Sequence, residues 1–423
     1  MLNRRTALKL AGLGTAGWLT SAAHFLARAA EQDRSGAPAQ SLIVLWMQGG
    51  PSQLETFDPQ PGTKIGGDTK AISTAVRDIK LADGLEQLAE QMQAVSLLRS
   101  VVSKEGDHER GTYLVKTGYR PDPTTIHPSI GAICCHQLSA AGVDIPRHIS
   151  ILANQWSARG GFLGDQFDAF RAGDPLHKVP DVSTPIAEDR YQGRMRGLDV
   201  LEKSFASGRD KLTKSTLHVE TVRRARQMMT SEQIKAFDVS TEPAALLAAY
   251  GDTPFGRGCL AARRLIEQGV RCVEVTLDGW DTHIDNHTGC QTQKKILDPA
   301  FAALIGDLKL RGLLDRTIVL CAGEFGRTPQ INRLGGRDHW PSGFSVALAG
   351  GTLRGGLVLG ETDPQGTKQV KDPVEVAEIH ATLLAALGLD PVQENISPIG
   401  RPLKLAEGTP IKQLLSTVHG VSS

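Results

Sequence analysis

Short apolar runs that alternate with helical patterns constrain the fold of this chain more than any other feature of its sequence. The runs are rich in β-branched residues and end in glycine or charged residues. This pattern is typical of strands buried on both faces, as in a parallel sheet. The predicted strands are Leu42–Trp46, Val95–Val102, Ile149–Ala153, Cys272–Leu277, Thr317–Ala322 and Phe344–Leu348.

Helical patterns lie between these strands. Gly258–Gln268 has apolar residues at helical spacing and stops at Gly269, and Pro299–Leu310 has the same pattern and stops before Gly312. Strands that alternate with helices indicate a sheet covered on both faces. The predicted fold class is therefore α/β, with a mainly parallel central sheet and helices on both faces.

The segment Glu188–Ala236 breaks this alternation. It is long, charged and helical in character, and it has few β-branched residues. We expect a helical insertion over about residues 188–236. It is either a cap over a site at the sheet edge or a solvated surface hairpin.

The first residues have the order of a twin-arginine export signal. Arg4 and Arg5 precede a weakly apolar run, and Ala27-Arg28-Ala29 has the small-x-small pattern of a signal peptidase site. The expected partner is the twin-arginine export machinery, so we expect a periplasmic or extracellular protein that is exported folded. An ordinary amphipathic first helix and an uncleaved membrane anchor are the alternatives. The expected divisions are a signal peptide over 1–29, a linker over 30–40 and one domain over 41–415.

Charge and composition exclude several classes of partner. A net charge of +1 leaves no electrostatic footprint for nucleic acid. No later stretch reaches the roughly 20 continuous apolar residues of a transmembrane helix, so we expect no stable transmembrane segment. The six cysteines match neither a zinc ribbon nor a redox motif, and most lie in apolar runs.

Potential metal ligands follow the predicted strands. In open α/β sheets, ligands bind beyond the carboxyl ends of the strands, which is where these residues are expected to meet. They are His108 after the second predicted strand, Asp281 and His283 after the fourth, Glu324 and Arg327 after the fifth, and Asp338 and His339 before the last.

The types and spacing of these residues favour a metal site. Asp281 and His283 are two positions apart, so an extended segment directs both side chains to one side. Imidazoles together with carboxylates suit zinc, manganese or iron better than calcium, which prefers oxygen ligands throughout. The expected cofactor is a divalent metal. Its identity stays open among zinc, manganese and calcium. Any one of these clusters alone is better explained as a hydrogen-bond network, and the metal site is favoured because three of them flank predicted strand ends. Arg327 either binds an anionic group or pairs with Glu324.

Other catalytic motifs are absent from the sequence. It contains no Gly-x-Ser-x-Gly elbow, no phosphate loop with a Gly-Lys pair, no His-Glu-x-x-His, and no dinucleotide fingerprint after the first predicted strand. These absences argue against a serine hydrolase of the elbow type, a nucleotide hydrolase and a redox protein.

Four short sequence motifs, taken together, resemble those of one known family. The family is the group of exported bacterial proteins catalogued as domain of unknown function 1501, and the resemblance covers essentially the whole chain. It implies an alkaline-phosphatase-like fold, because the family is thought to belong to the alkaline phosphatase and sulfatase superfamily, whose members bind one or two metals and hydrolyse phosphate or sulfate esters. The phrases are Gly49–Asp58, Gly279–His283, Gly323–Pro329 and Gly336–Trp340.

The resemblance also implies roles for individual residues. It makes Asp281, His283, Glu324, Asp338 and His339 the metal ligands. The first strand departs from the superfamily pattern, because it runs into Met47, Gln48 and Gly49 where aspartates usually bind metal. The phrase Leu114–Gly118 resembles the end of the helix that the nucleophile opens, and counting back from it places His108 at the nucleophile position.

Two functional hypotheses follow. The first is an exported metal-dependent hydrolase of phosphate- or sulfate-type esters that lacks the usual Ser, Thr or Cys nucleophile. In it, His108 is a nucleophile, a proton-transfer group or a metal ligand, and Arg327 binds an anionic ester or glycan substrate. The alternative is a catalytically inactive envelope binding or assembly protein on the same scaffold.

Overall fold

The computed structural model describes residues 37–139, 142–153, 155–184, 186–209, 216–363 and 371–416. The expected signal peptide, residues 1–29, and residues 30–36 of the expected linker lie outside the described residues.

Within the described ranges, the strands form one large sheet and three small hairpins. In chain order they are β1 (Ser41–Met47), β2 (Ala71–Ser73), β3 (Lys80–Ala82), β4 (Val95–Val102), β5 (His148–Ile151), β6 (Phe170–Ala172), β7 (Cys272–Leu277), β8 (Thr317–Ala322), β9 (Gly326–Arg327), β10 (His339–Trp340), β11 (Phe344–Gly350), β12 (Val358–Leu359), β13 (Val374–Glu375), β14 (Glu394–Ile396) and β15 (Pro402–Lys404).

Helices connect and cover these strands. The α-helices are α1 (Glu86–Glu90), α2 (His108–Thr117), α3 (Ile130–Gln137), α4 (Glu188–Ala206), α5 (His218–Thr230), α6 (Ala244–Tyr250), α7 (Pro254–Glu267), α8 (Asn286–Leu310) and α9 (Val376–Ala386). Short 3-10 helices span Gly161–Leu163, Asp165–Phe167, Glu232–Phe237, Val239–Thr241 and Leu314–Arg316.

The large sheet has the strand order β12-β4-β11-β8-β1-β7-β5-β6, with β13 also paired to β4. β1 lies at its centre and is parallel to β7 and β8. The mainly parallel sheet is therefore confirmed, but the expectation that Phe344–Leu348 is also parallel is wrong. β11 is antiparallel to both β8 and β4, because the chain leaves β8 at its carboxyl end, forms the β9–β10 hairpin there and re-enters from the same end.

The core lies on both faces of the sheet. Alternate side chains of β1 enter different apolar clusters, so that Ile43 joins one and Leu42 the other. The first cluster includes side chains of α7 and α8, and the second includes side chains of α2, α3 and α9. Helices on both faces, predicted from the alternation, are confirmed.

Two predicted helices start earlier than expected. α7 begins at Pro254, where Thr253 accepts a hydrogen bond from the Gly256 amide as the N-cap. α8 begins at Asn286 and contains Pro299, so the expected start at Pro299 is wrong. An internal proline costs about 3 kcal/mol, and the buried apolar face of this long helix offsets that cost.

Residues 188–236 are mostly helical where the structure describes them. They form α4, α5 and most of the 3-10 helix that follows, while residues 210–215 lie outside the described part. α4 has no buried residue, and Met228 is the buried residue of α5. No helix in the described ranges has both the length and the apolar character to span a membrane.

Candidate metal centre

The carboxyl ends of β4, β7 and β8 meet at one edge of the sheet, and the β9–β10 hairpin closes over them. His108 is the first residue of α2, where Asp107 caps the helix by accepting a hydrogen bond from the Arg110 amide. Asp281 and His283 lie in the loop between β7 and α8. The placement beyond the strand ends agrees with the expectation from parallel sheets.

Three imidazoles and one carboxylate converge at this edge. Ligand atoms of His108, Asp281 and His339 lie within 4.8 Å of one another. His283 joins them, because its Nε2 lies 3.0 Å from Nε2 of His339 and 3.1 Å from Oδ1 of Asp281. The group brings together residues that are far apart in the sequence.

Each imidazole has its Nδ1 atom held by an oxygen acceptor. His339 donates its Nδ1 proton to the Gly106 carbonyl over 2.8 Å, and His283 donates to Oδ1 of Asp338 over 3.0 Å. His108 Nδ1 lies 2.8 Å from Oε1 of Glu324. An acceptor on Nδ1 keeps the ring proton on that atom, so the Nε2 atom of each ring faces the common centre with its lone pair. Two neutral Nε2 lone pairs 3.0 Å apart repel each other unless a proton or a cation lies between them.

Charges around the centre set the protonation of these groups. Burial alone would raise the pKa of Asp281, but Arg327, His339 and His108 together outweigh it and lower that pKa to about 2. The hydrogen bond to Glu324 raises the pKa of His108, whereas burial lowers the pKa of His339. At neutral pH the centre therefore contains an ionised carboxylate and a neutral His339.

Arg327 is fully buried, and its guanidinium is fully engaged inside the protein. This position does not fit the expected role of binding an anionic substrate, and the pairing with Glu324 is also not observed. Arg327 instead fixes Asp281 against the loop that follows β1. Its guanidinium donates to Oδ1 of Asp281 over 2.6 Å and to the main-chain carbonyls of Gly49, Gly50, Trp280 and Arg337.

Glu324 and Asp338, expected as metal ligands, hold imidazoles in the structure. Glu324 is fully buried, and its Oε1 also accepts the Gly49 amide over 2.9 Å. Its Oε2 has no hydrogen-bond partner among the described residues. Asp338 is exposed, and the hydrogen bond from His283 lowers its pKa. His108 takes the place beside Asp281 and His339 that the sequence assigned to these carboxylates.

Sequence reasoning missed two side chains that hold the ligand loops together. Fully buried Arg337 pairs with Glu55 through Nη2 and Oε1 at 2.7 Å, although the two residues are 282 positions apart. Asn332 donates to the His283 carbonyl over 3.0 Å and accepts the Gly336 amide over 2.9 Å. No local pattern could have indicated the pairing of Arg337 with Glu55 or of Asn332 with His283, because each of these contacts joins segments distant in sequence.

The two ligand loops approach so closely that one position requires glycine. A Cβ atom at Gly336 would lie 1.8 Å from the His283 carbonyl oxygen. Aromatic rings complete the surroundings of the centre, since Trp156 stacks on His108 with ring centroids 6.1 Å apart and Phe325 lies 5.1 Å away. The loops are thus fixed by packing and hydrogen bonds before any ligand binds.

A family model described as "Protein of unknown function (DUF1501)" matches residues 39–415. A comparison with curated proteins gives no match. The family resemblance drawn from the four sequence phrases is confirmed by this match.

Solved structures similar to the chain include members of the alkaline phosphatase and sulfatase superfamily. An alkaline phosphatase from the Antarctic bacterium TAB5 is 13% identical, with 84% of this chain and 99% of that chain covered and a TM-score of 0.38. The sulfatase PsFucS1 from Pseudoalteromonas sp. is 12% identical, with 85% and 69% covered and a TM-score of 0.40. The lipoteichoic acid synthase LtaP from Listeria monocytogenes is 11% identical, with 90% and 78% covered and a TM-score of 0.41.

Proposed function

The chain belongs to the family described as a protein of unknown function (DUF1501), and on that premise we propose that it is a metal-dependent hydrolase of phosphate- or sulfate-type esters. One observation carries the proposal. The Nε2 atoms of His283 and His339 lie 3.0 Å apart, and the ionised Asp281 lies beside both. The Oδ2 atom of Asp281 is 3.4 Å from Nε2 of His108. A divalent cation explains why three imidazoles with engaged Nδ1 atoms are directed at one carboxylate.

The donor set fits a single cation at His108, His339 and Asp281, whose ligand atoms lie within 4.8 Å of one another. These residues would hold it through the two Nε2 atoms and the carboxylate, and His283, next to His339 and Asp281, would add a third nitrogen after a small shift. Three nitrogens and one oxygen suit zinc first, with manganese next and calcium last, because calcium prefers oxygen ligands throughout. Glu324 is engaged with His108, which supports one cation rather than two.

Bound there, a divalent cation would supply Lewis-acid chemistry, polarising an ester oxygen and making water a better nucleophile. We assign His108 to cation binding rather than to nucleophilic attack, because its Nε2 faces Asp281 and its Nδ1 is held by Glu324. Water then replaces the missing hydroxyl or thiol nucleophile. Arg327 keeps Asp281 ionised and in place, which makes it a positioning residue.

The proposal includes export by the twin-arginine machinery to the periplasm or the cell exterior. It rests on the order of Arg4, Arg5, the apolar run and Ala27-Arg28-Ala29. The cation would then be acquired before export, because this route moves folded proteins.

The test is elemental analysis of the purified wild type beside Asp281→Ala and His339→Ala, followed by assays with 4-nitrophenyl phosphate, bis(4-nitrophenyl) phosphate and 4-nitrophenyl sulfate. We expect one divalent cation per chain and hydrolysis of at least one ester in the wild type, and loss of both in the two variants. His136→Ala, which removes an exposed histidine of α3, is the matched control and should retain both.

The two readouts separate the hypotheses. A metal-free wild type, even after reconstitution with zinc, manganese and calcium, would contradict the cation site. A stoichiometric cation without turnover on any ester would favour the alternative, a catalytically inactive envelope binding or assembly protein.

A further inference from the structure

Lys116 and Glu274 form a buried ion pair on the face of the sheet that α2 covers. The Lys116 ammonium donates to Oε1 of Glu274 over 2.8 Å, and the two side chains are only 9% and 4% exposed. Lys116 lies near the end of α2, and Glu274 lies in β7. Neither side chain belongs to the group of candidate metal ligands.

The three N–H groups of the Lys116 ammonium have three partners. Besides Glu274, the ammonium donates to the main-chain carbonyl of Trp156 over 2.8 Å, and it lies 4.7 Å from the centroid of the Trp46 ring. Glu274 also accepts a hydrogen bond over 3.0 Å from Ser150, its direct neighbour in the paired strand β5. Lys116 therefore joins the central strands β1, β7 and β5 to the segment that contains Trp156.

Trp156 connects this ion pair to the metal centre. Its side chain is partly buried, and its ring stacks on the His108 ring with centroids 6.1 Å apart and planes 15° apart. His108 in turn directs its Nε2 atom at Asp281 over 3.4 Å. The tryptophan thus packs on a candidate ligand whose direction matters for binding a cation.

Stability alone does not account for the ion pair. Taking two charges out of water offsets most of their attraction, and replacing a buried pair by apolar side chains is often neutral or stabilising. The ammonium does supply a directional donor for the Trp156 carbonyl, which an apolar side chain cannot replace.

We propose that the Lys116–Glu274 pair holds the Trp156 ring over His108 and thereby keeps Nε2 of His108 directed at Asp281. Lys116 and Trp156 are then positioning residues of the metal centre. Their effect on cation binding rests on the proposed function.

The experiment compares the full-length wild type with Trp156→Ala, with the double variant Lys116→Met/Glu274→Leu and with the triple variant that combines them. The double variant leaves no unpaired charge buried, so it should unfold near the wild-type temperature. Competition with a zinc-binding dye measures cation affinity. We expect about tenfold weaker zinc binding in Trp156→Ala and in the double variant. The triple variant should show no further loss, because both changes remove the same positioning effect.

A second readout needs no cation. Diethyl pyrocarbonate modifies accessible imidazole nitrogens, and mass spectrometry of tryptic peptides gives the rate at His108 in the presence of a chelator. We expect this rate to rise several-fold in Trp156→Ala and in the double variant. The matched control is Arg263→Met/Asp307→Leu, which removes another buried ion pair, between α7 and α8, and should change neither the rate nor zinc affinity.

Wild-type zinc affinity and a wild-type modification rate of His108 in the folded double variant would overturn the inference. Additive losses in the triple variant would also overturn it, because Lys116 would then act without Trp156. A wild type that binds no cation would contradict the proposed function, and the modification rates of His108 would then decide the positioning role by themselves.

Discussion

His283 and His339 direct their Nε2 atoms at each other across 3.0 Å, and each ring donates its Nδ1 proton to a different oxygen. Neither nitrogen can donate to the other while both rings are neutral. Oδ1 of Asp281 lies 3.1 Å from the first nitrogen and 3.3 Å from the second. The repulsion within this pair is what a divalent cation would remove.

Replacement of Glu324 by glutamine should weaken metal binding without abolishing it. The amide oxygen still accepts one hydrogen bond, but the negative charge beside His108 is lost, and loss of such an outer partner typically costs about 10- to 100-fold in affinity. Competition with a zinc-binding dye measures the effect, and Glu394→Gln, at an exposed position, is the control. Complete loss of zinc in Glu324→Gln would instead make Glu324 a direct ligand.

Replacement of Arg327 by methionine should lower the free energy of unfolding by about 1–3 kcal/mol, because buried main-chain carbonyls lose their donor and the half-exposed Asp281 loses its cationic partner. Zinc content should fall with it. Urea titration and elemental analysis give the two readouts, and Arg159→Met, at an exposed arginine, should change neither. A variant with unchanged stability and zinc content but a raised KM would show that Arg327 binds substrate after all.

Stability of the metal-free protein should fall in acid partly through His380. This histidine is buried, donates from Nε2 to the Val115 carbonyl, and has its pKa lowered to about 4 by burial. The unfolded chain takes up the proton near pH 6.5, so the stabilisation is complete above that pH and is lost as the pH falls towards 4. The full effect amounts to about 3 kcal/mol.

The measurement is the free energy of unfolding from urea titrations between pH 7 and pH 4 in the presence of a chelator. His380→Leu should be less stable than wild type at pH 7, because the Val115 carbonyl loses its donor, and should lose less stability on acidification. His136→Leu, at an exposed histidine, should follow the wild-type pH dependence. Parallel curves for wild type and His380→Leu would contradict the assignment.

Export should depend on the arginine pair. With Arg4→Lys and Arg5→Lys combined, we expect the protein to stay in the cytoplasm, because the twin-arginine machinery reads that pair. Cell fractionation followed by immunoblotting measures the distribution, with Arg28→Lys as the control. An unchanged periplasmic fraction in the double variant would exclude this route.

Much of the fold was predictable because strands buried on both faces need continuous apolar runs. Val95–Val102, Cys272–Leu277 and Thr317–Ala322 have the predicted bounds, and the helices on both faces follow from the alternation. The direction of β11 was not predictable, because an apolar run has the same pattern in either direction. The start of α8 was missed because Pro299, which reads locally as a helix start, is tolerated inside a helix with a buried face.

By itself the sequence determined which potential metal ligands are present and after which strands they come, because these residues follow the buried strands directly in the chain. Only the tertiary structure decided how the roles are divided. His108 and Glu324 are 216 positions apart and Arg327 and Asp281 are 46 apart, yet each pair is in hydrogen-bond contact. A carboxylate at this edge can face either a cation or the Nδ1 atom of an imidazole, and the packing of the loops against one another decides which. That packing forms only when the whole sheet brings the carboxyl ends of its strands to one edge.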